Sequence, residues 1–286
     1  VPATISTPTS LTSLQQHEIR ELTDAIAQAD GGQPLSDQGL SQLASTGVRH
    51  ILARDGSRIV GYAQRDSAAA EVLGATDVID ALLDAVEAEA TALGRPVEMW
   101  AHGRRSRLVA AAESRGYARG RVLWQLRWRV ADLPVPQLHE GISLRAFVIG
   151  QDETAWLAVN AAAFASHAEQ GGWTLADIAS RESEPWFDPR GFLLAERDGE
   201  LLGFHWTKVH DPQLGEVYVL GVAPGAQGMH LGSTLLIAGL RHLREQGMTE
   251  VMLYVDDDNA VAIGLYERYG FRKYDNDVQY EVQPTR

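Results

Sequence analysis

The chain repeats itself once, and that repetition limits what it can fold into. Met99–Tyr117 reads MWAHGRRSRLVAAAESRGY, and Met252–Phe271 reads MLYVDDDNAVAIGLYERYGF. Tyr254 stands 154 residues after Trp100, and Gly270 stands 154 residues after Gly116. Each copy runs from an apolar strand through a polar loop into a small-residue helix. It then passes a glycine and an aromatic and enters another strand, VLWQLRW in the first copy and DVQYEV in the second. Upstream, DGSRIVGYAQ in the first half is mirrored by DGELLGFHW in the second. Asp-Gly pairs between apolar runs are hairpin signals. The shared order is helix, hairpin strands, strand, helix, strand, helix, strand. This is one mixed α/β unit used twice, not a short-period solenoid.

The expected fold is therefore α/β, a mixed sheet with flanking helices in each of two tandem domains. The stretch DLPVPQLHEGISLR, with prolines at 134 and 136, lacks any period and reads as an extended connection. It predicts a first domain over 1–131, a linker over 132–144 and a second domain over 145–286. At 286 residues the chain is long enough for two cores. A formal net charge of -13 argues against nucleic acid or an anionic membrane as partner. There is no cysteine, which excludes disulfides, a thiol nucleophile and thiolate metal sites. Apolar runs are too short to span a bilayer. VPATISTPTSLTSL lacks the basic start and apolar core of a signal peptide, so a cytoplasmic protein is expected.

The halves differ where chemistry would sit. In the second, VLGVAPGAQGMHLGSTLL (Val219–Leu236) runs from a strand through a Gly-rich turn into an amphipathic helix. It lacks the Gly-Lys-Ser/Thr of a Walker loop and is not a Rossmann fingerprint. No acidic residue or Ser/Thr cap opens the helix, so its free amides are available to an anion. In the first half, AEVLGATD leads almost directly into DVIDALLDAVEAEA. There Thr76 is expected to cap the helix, with Asp77 adding negative charge in the first turn, which disfavours an anion. The second half is expected to bind the ligand, the first to be mostly scaffold. Asp256-Asp257-Asp258-Asn259 lacks the glycine and distal glutamate of a calcium loop, and helix capping is its expected role, with no metal. Taken alone, Tyr266 is most simply a packing residue, and Glu216 is equally a solvated strand-end carboxylate or a functional one. The tryptophans are mainly core; Trp173 and Trp186, in loop-rich stretches, are candidates to line an acceptor site.

Val222, Pro224, Gln227 and Gly232, followed by Asn259, Ala262, Tyr266, Gly270 and Phe271, resemble the two motifs of the GNAT acetyltransferases, in the right order. FASHAEQGGW, EPWFDP, LLGFHWTKVH and LGEVYVLGV, with the DLPVP connection, resemble most closely those tandem members of the family that acetylate the cysteinyl amine of desacetylmycothiol. That acceptor is a cysteine joined to a glucosamine-inositol unit. The resemblance implies acetyl-CoA as co-substrate. Its pyrophosphate would rest on the amides of Gln227, Gly228, Met229, His230, Leu231 and Gly232. Its pantetheine arm would lie along Val219–Val222, with Leu220 and Val222 offering backbone groups and Leu220 N–H serving as oxyanion donor. Asn259, expected on the same helical face as Tyr266, would complete the cofactor side. Glu216 takes the position of the general base and Tyr266 that of the general acid. Trp206, Lys208, His167 and Glu169 are carried by the matching stretches as candidate substrate residues.

In the first half Ala112 stands opposite Tyr266 and Arg105 opposite Asn259, so that half is expected not to catalyse acetyl transfer. A monomer acting on a small-molecule amine is expected. The alternatives are the same chemistry on another amine, such as a peptide N-terminus or an aminoglycoside, and a non-catalytic acyl-CoA-binding module. His230 departs from the family pattern where glycine is common; it is expected to be tolerated through a negative φ.

Overall fold

The computed structural model describes residues 3–165 and 167–284, apart from the side chains of Ala168 and Glu169. The first half runs β1 (Thr4–Ser6), α1 (Ser13–Asp30), α2 (Asp37–Ser41), β2 (Arg49–Asp55), β3 (Arg58–Arg65), β4 (Ala70–Gly74), α3 (Thr76–Leu93), β5 (Val97–Ala101), α4 (Arg107–Ser114) and β6 (Ala118–Arg129). The second runs β7 (Ser143–Ala146), α5 (Glu153–Ala163), α6 (Ala168–Gly171), α7 (Leu175–Glu182), β8 (Phe192–Arg197), β9 (Glu200–Val209), β10 (Leu214–Val222), α8 (Leu231–Glu245), β11 (Glu250–Asp256), α9 (Ala260–Arg268) and β12 (Arg272–Val282). The two halves share the order read from the repeat, each with an additional opening strand. The turn between β8 and β9 places Asp198 and Gly199 at φ 53 and φ 82, the pair of left-handed residues that a two-residue hairpin favours.

The chain divides into two compact units, and these cross the midpoint. One comprises Val1–Trp124, Asp256–Asp258 and Asp275–Arg286; the other comprises Gln125–Val255 and Asn259–Tyr274. In the first unit β1, β2, β3 and β4 pair antiparallel, and β4 pairs parallel with β5. The sheet continues through Val278–Val282 of β12, antiparallel to β5. Alternation along β2 sends Ile51 and Ala53 to the core with α3, and Leu52 to the core with α1. In the second unit β7, β8, β9 and β10 pair antiparallel and β10 pairs parallel with β11. Residues of β6 complete it: Arg127 Nη1 meets Glu250 Oε2 at 2.6 Å, and Gln125 Nε2 donates to Tyr254 Oη at 2.9 Å. Trp156, Phe192, Phe204 and Trp206 fill one face of this sheet; Leu202, Leu231 and Leu235 fill the other. The grouping differs from the boundaries at 131 and 145. A repeat specifies that a closing strand exists but not which unit it closes, because strand pairing is decided by distant partners.

Helix α3 begins differently from the expectation. Ala75, extended at φ -68 and ψ 159, is the N-cap, and it makes no side-chain cap bond. Thr76 is already the first helical residue, so its hydroxyl caps nothing here; Asp77 does lie in the first turn.

A buried polar cluster ties β12 into the first unit. His102 Nε2 lies 2.8 Å from Glu71 Oε1, and His102 Nδ1 lies 2.9 Å from Asp277 Oδ2. Glu71 also accepts from Ser36 N–H at 2.9 Å and from Gln64 Nε2 at 2.8 Å. Burial alone would lower the His102 pKa, but hydrogen bonds to Asp277 and Glu71 outweigh it and hold the ring cationic, at about 10. Burial would raise Glu71, but the His102 contact and the Ser36 hydrogen bonds outweigh it and bring the carboxyl down to about 2. Removing one member of such a cluster leaves buried charge unpaired. His102→Ala is expected to destabilise the first unit by about 3–5 kcal/mol in urea unfolding. Because the folded pKa of His102 is raised, its stabilisation is complete below pH 6.5 and declines as the pH rises towards 10. That slope should vanish in the variant.

Candidate active site

The site of the second unit begins where two strands part. Strands β10 and β11 are parallel neighbours through three residue pairs only, Leu214 with Glu250, Gly215 with Val251 and Glu216 with Met252. Beyond Glu216 the pairing stops, although β10 continues to Val222 and β11 to Asp256. On its other side β10 stays paired with β9 as far as Val222 with Gly203, with a register shift between Val217 and Val219. Ala223 N–H donates to Leu202 O at 2.8 Å, which sets the alternation of the ladder. Val219 and Gly221 therefore bond to β9, while Leu220 and Val222 turn their N–H and C=O towards the parted side. A wedge with unpaired backbone groups on one wall is suited to an extended chain carrying amides of its own.

The wedge leads to the N-terminus of α8. His230 is the N-cap and makes no side-chain cap bond, so the first amides of the helix have no internal acceptor from that side chain. Gly232 is helical, and a Cβ there would meet nothing closer than Val222 Cγ2 at 3.8 Å. Packing around that position therefore does not itself require a glycine. The expected negative φ at His230 is corrected: His230 stands at φ 53 and ψ 17, in the left-handed region, two residues after Gly228 at φ 83. A sharp reversal is needed to pass from the turn into the helix, and His is among the non-glycine residues that enter this region most readily. Helix α8 is anchored from below by His205, fully buried, whose Nδ1 lies 2.8 Å from Leu235 O. Gly239 makes room for that ring, since a Cβ there would fall 2.1 Å from it. Burial pushes His205 down to about 4, so it is neutral.

Glu216 is buried at 6% exposure, which rules out a solvated strand end. Its Oε2 lies 2.7 Å from His210 Nε2. Lys208, directly opposite in the ladder, is also buried, with Nζ 4.8 Å from the Trp186 ring centroid and 5.5 Å from that of Tyr218. Arg181 lies 3.7 Å from the Trp173 ring centroid and donates from Nε to Tyr218 Oη at 2.9 Å. The half-buried Trp173 and Trp186 thus carry cations against an aromatic wall. Trp206 does not offer a surface to a ligand: it is fully buried, stacked on Phe192 at 4.3 Å and met edge-on by Trp156 and Tyr218. It supports the wall from behind, because an indole in mid-strand is best buried among other rings. His167 lies just before α6, half-buried; Glu169 lies within α6, its side chain outside the described residues.

On α9, Tyr266 is buried against Phe271, with ring centroids 5.8 Å apart. Burial pushes its pKa up to about 12, so the phenol is protonated throughout the physiological range. Asn259 does not share a helical face with Tyr266, because it lies outside the helix. It is the N-cap, its Oδ1 accepting from Ala262 N–H at 3.0 Å. Gln227, Met229 and Leu231 complete the turn and helix start; Leu231 is buried beneath α8 with Leu235.

Residues 160–271 match the acetyltransferase (GNAT) family. A mycothiol acetyltransferase from Thermomonospora curvata is 45% identical over 96% of this chain and 96% of its own. Another, from Streptomyces avermitilis, is 47% identical over 98% of this chain and 95% of its own. The chain belongs to the mycothiol acetyltransferases. Among solved structures, a tandem GNAT protein from the clavulanic acid biosynthesis pathway covers 99% of this chain and 100% of its own, with a TM-score of 0.75 and 18% identity. At that identity it speaks for the tandem fold alone. As a mycothiol acetyltransferase the chain is an acetyl-CoA-dependent N-acetyltransferase, and its acceptor is a small molecule. Among the described residues no helix is long and apolar enough to cross a membrane.

Sequence reasoning missed His210. Its signal was present: His210 lies in the turn just after β9, two residues beyond Lys208, the ladder partner of Glu216, and a diagonal neighbour of that kind falls on the same side of a hairpin. The left-handed backbone of residue 230 gives a direct test. His230→Gly relieves about 1–2 kcal/mol of backbone strain, against roughly 0.4–1 kcal/mol of added freedom in the unfolded chain. It is expected to be neutral to about 1.6 kcal/mol stabilising on these terms. His230→Val, β-branched, should destabilise by about 1 kcal/mol or more. Thermal unfolding of the two variants beside the wild type checks the ordering.

Proposed function

We propose that the second unit of this mycothiol acetyltransferase transfers the acetyl group of acetyl-CoA to the cysteinyl amine of desacetylmycothiol by direct attack in a ternary complex. The observation that carries the reading is the parting of β10 from β11 immediately after a buried carboxylate. The wedge supports an acyl-pantetheine chain lying against Leu220 and Val222, with Leu220 N–H polarising the thioester carbonyl. The turn and helix start from Gln227 to Gly232, where His230 makes no side-chain cap bond, suit the pyrophosphate; the Gln227 N–H itself donates to Pro224 O at 3.3 Å, so the amides that follow it are the ones offered. Glu216 takes the proton as the amine attacks, directly or through one water; a free α-amino group has a pKa of roughly 7.7–8.0, so a modest base suffices. The new C–N bond forms as the C–S bond breaks, and Tyr266, a neutral phenol, hands a proton to the leaving thiolate. Lys208, Trp173 and Trp186, with His167 and Glu169, are the acceptor side; aromatic faces and fixed cations suit a hydroxyl-rich pseudodisaccharide. Asn259 contributes by starting α9, which carries Tyr266.

The first unit is proposed to be non-catalytic. Its parallel pair β4–β5 also parts early, after Glu71 with Trp100. There the carboxylate is bound by Ser36, Gln64 and His102 and held near a pKa of about 2, too acidic to accept a proton at neutral pH. Ala112 stands where Tyr266 would be needed. A cytoplasmic monomer that meets neither nucleic acid nor membrane fits the acidic charge. Steady-state kinetics test the whole. Desacetylmycothiol should exceed a peptide N-terminus and an aminoglycoside in kcat/KM, and equal rates on all three would overturn the acceptor. Glu216→Gln and Tyr266→Phe should each lower kcat by about 10²–10⁴-fold with KM for acetyl-CoA little changed. Unchanged turnover in both would favour an acyl-CoA-binding module instead.

A further inference from the structure

Glu216 has a problem that its burial creates. If it takes a proton from the acceptor amine in each cycle, it must lose that proton before the next, yet its side chain is only 8% exposed. The neighbour that meets its Oε2 is His210, at 2.7 Å, with a side chain 25% exposed. We infer that His210 relays the proton from Glu216 to solvent and holds the carboxylate in its productive orientation. The inference rests on the reading of Glu216 as base.

The local fold is built to keep this contact. His210 N–H donates to Leu214 O at 2.9 Å, closing the turn between β9 and β10. Asp211 Oδ1 accepts from Gln213 N–H at 2.7 Å and from Leu214 N–H at 2.9 Å, so the turn carries its own rigid brace. The imidazole therefore sits on a short, braced turn rather than a mobile loop. An imidazole is the side chain suited to the task, because it can accept a proton at Nε2 and release one from Nδ1 near neutral pH. The proton balance closes in three steps. Glu216 is protonated by the amine and passes that proton to Nε2 of the neutral, Nδ1-protonated His210. The imidazolium yields its Nδ1 proton to water, and exchange with solvent at the part-exposed ring returns it to the Nδ1-protonated tautomer for the next cycle.

Other ionisable groups around the pair are committed differently. On β9, Lys208 faces Glu216 across the ladder, with its ammonium over the Trp186 and Tyr218 rings. In the turn, the Asp211 carboxylate accepts backbone amides. On β10, the Tyr218 hydroxyl accepts from Arg181. On β11, Glu250 is paired with Arg127. His210 is the group that links the buried carboxylate to the partly open surface.

The test compares His210→Ala, His210→Gln and Glu216→Gln in the full chain, with acetyl-CoA and desacetylmycothiol. His210→Gln keeps a hydrogen-bonding side chain but cannot relay a proton. Both His210 variants should lose roughly 10–100-fold in kcat, with KM for acetyl-CoA within about twofold of wild type. Added imidazole should restore turnover to His210→Ala and not to Glu216→Gln. Wild-type turnover in His210→Ala beside an impaired Glu216→Gln would overturn the relay alone. An imidazole-insensitive loss in His210→Ala, with full activity in His210→Gln, would reduce His210 to a structural prop and equally overturn it. Wild-type turnover in Glu216→Gln would remove the base and the relay together. Acetyl-CoA binding by calorimetry, unchanged in both His210 variants, shows that each is folded.

Discussion

The second unit is organised by an incomplete pairing. Two parallel strands that remained bonded throughout would bury every backbone group in the ladder and leave nothing for a ligand. Here β10 and β11 share three pairs and then separate. The separation leaves Leu220 and Val222 with backbone groups turned to an open side, places Glu216 at the vertex, and carries the chain on to α8. Each part of the proposed chemistry hangs on that geometry: the wall for the acyl chain, the amides for its phosphates, the carboxylate for the amine. The aromatic packing of Trp156, Phe192, Phe204 and Trp206 keeps β8, β9 and β10 together while their far neighbour parts from them.

The two units reuse one plan and treat its vertex in opposite ways. Glu71 and Glu216 both end a short parallel pairing. Glu71 is surrounded by donors and by a cationic histidine, which makes it a permanent anion and a structural fastener for β12. Glu216 meets a single histidine on a braced turn and a lysine whose charge is spread over aromatic faces. On the reading proposed for Glu216, the two carboxylates differ in the hydrogen bonds fixed on them among the described residues, not in the fold that presents them.

Much of this was legible in the chain. The repeat disclosed two like units and their element order, and Asp198-Gly199 disclosed a hairpin. The glycines and Gln227 marked an uncapped helix start, and the two motifs marked the acetyltransferase family. Other readings went astray for physical reasons. Thr76 looked like a cap but lies one residue too late, because a cap is defined by backbone angles that residue type only biases. Trp206 looked like a pocket residue by its neighbours in sequence, yet its side of the strand faces the aromatic core of Trp156, Phe192 and Phe204. His230 was expected to keep a negative φ and instead makes the reversal that the turn demands.

By itself the sequence determined the class of fold, its duplication, the family and the residue types at the positions proposed to react, since these follow from local period, turn chemistry and short motifs. Only the tertiary structure decided which strand closes which unit, that Glu216 is buried beside His210, and that Glu71 is locked by His102 and Asp277. Those facts depend on contacts between residues as far apart as 175 positions. Long-range pairing and burial set the pKa and the partner of a side chain, and neither is written in its immediate neighbours.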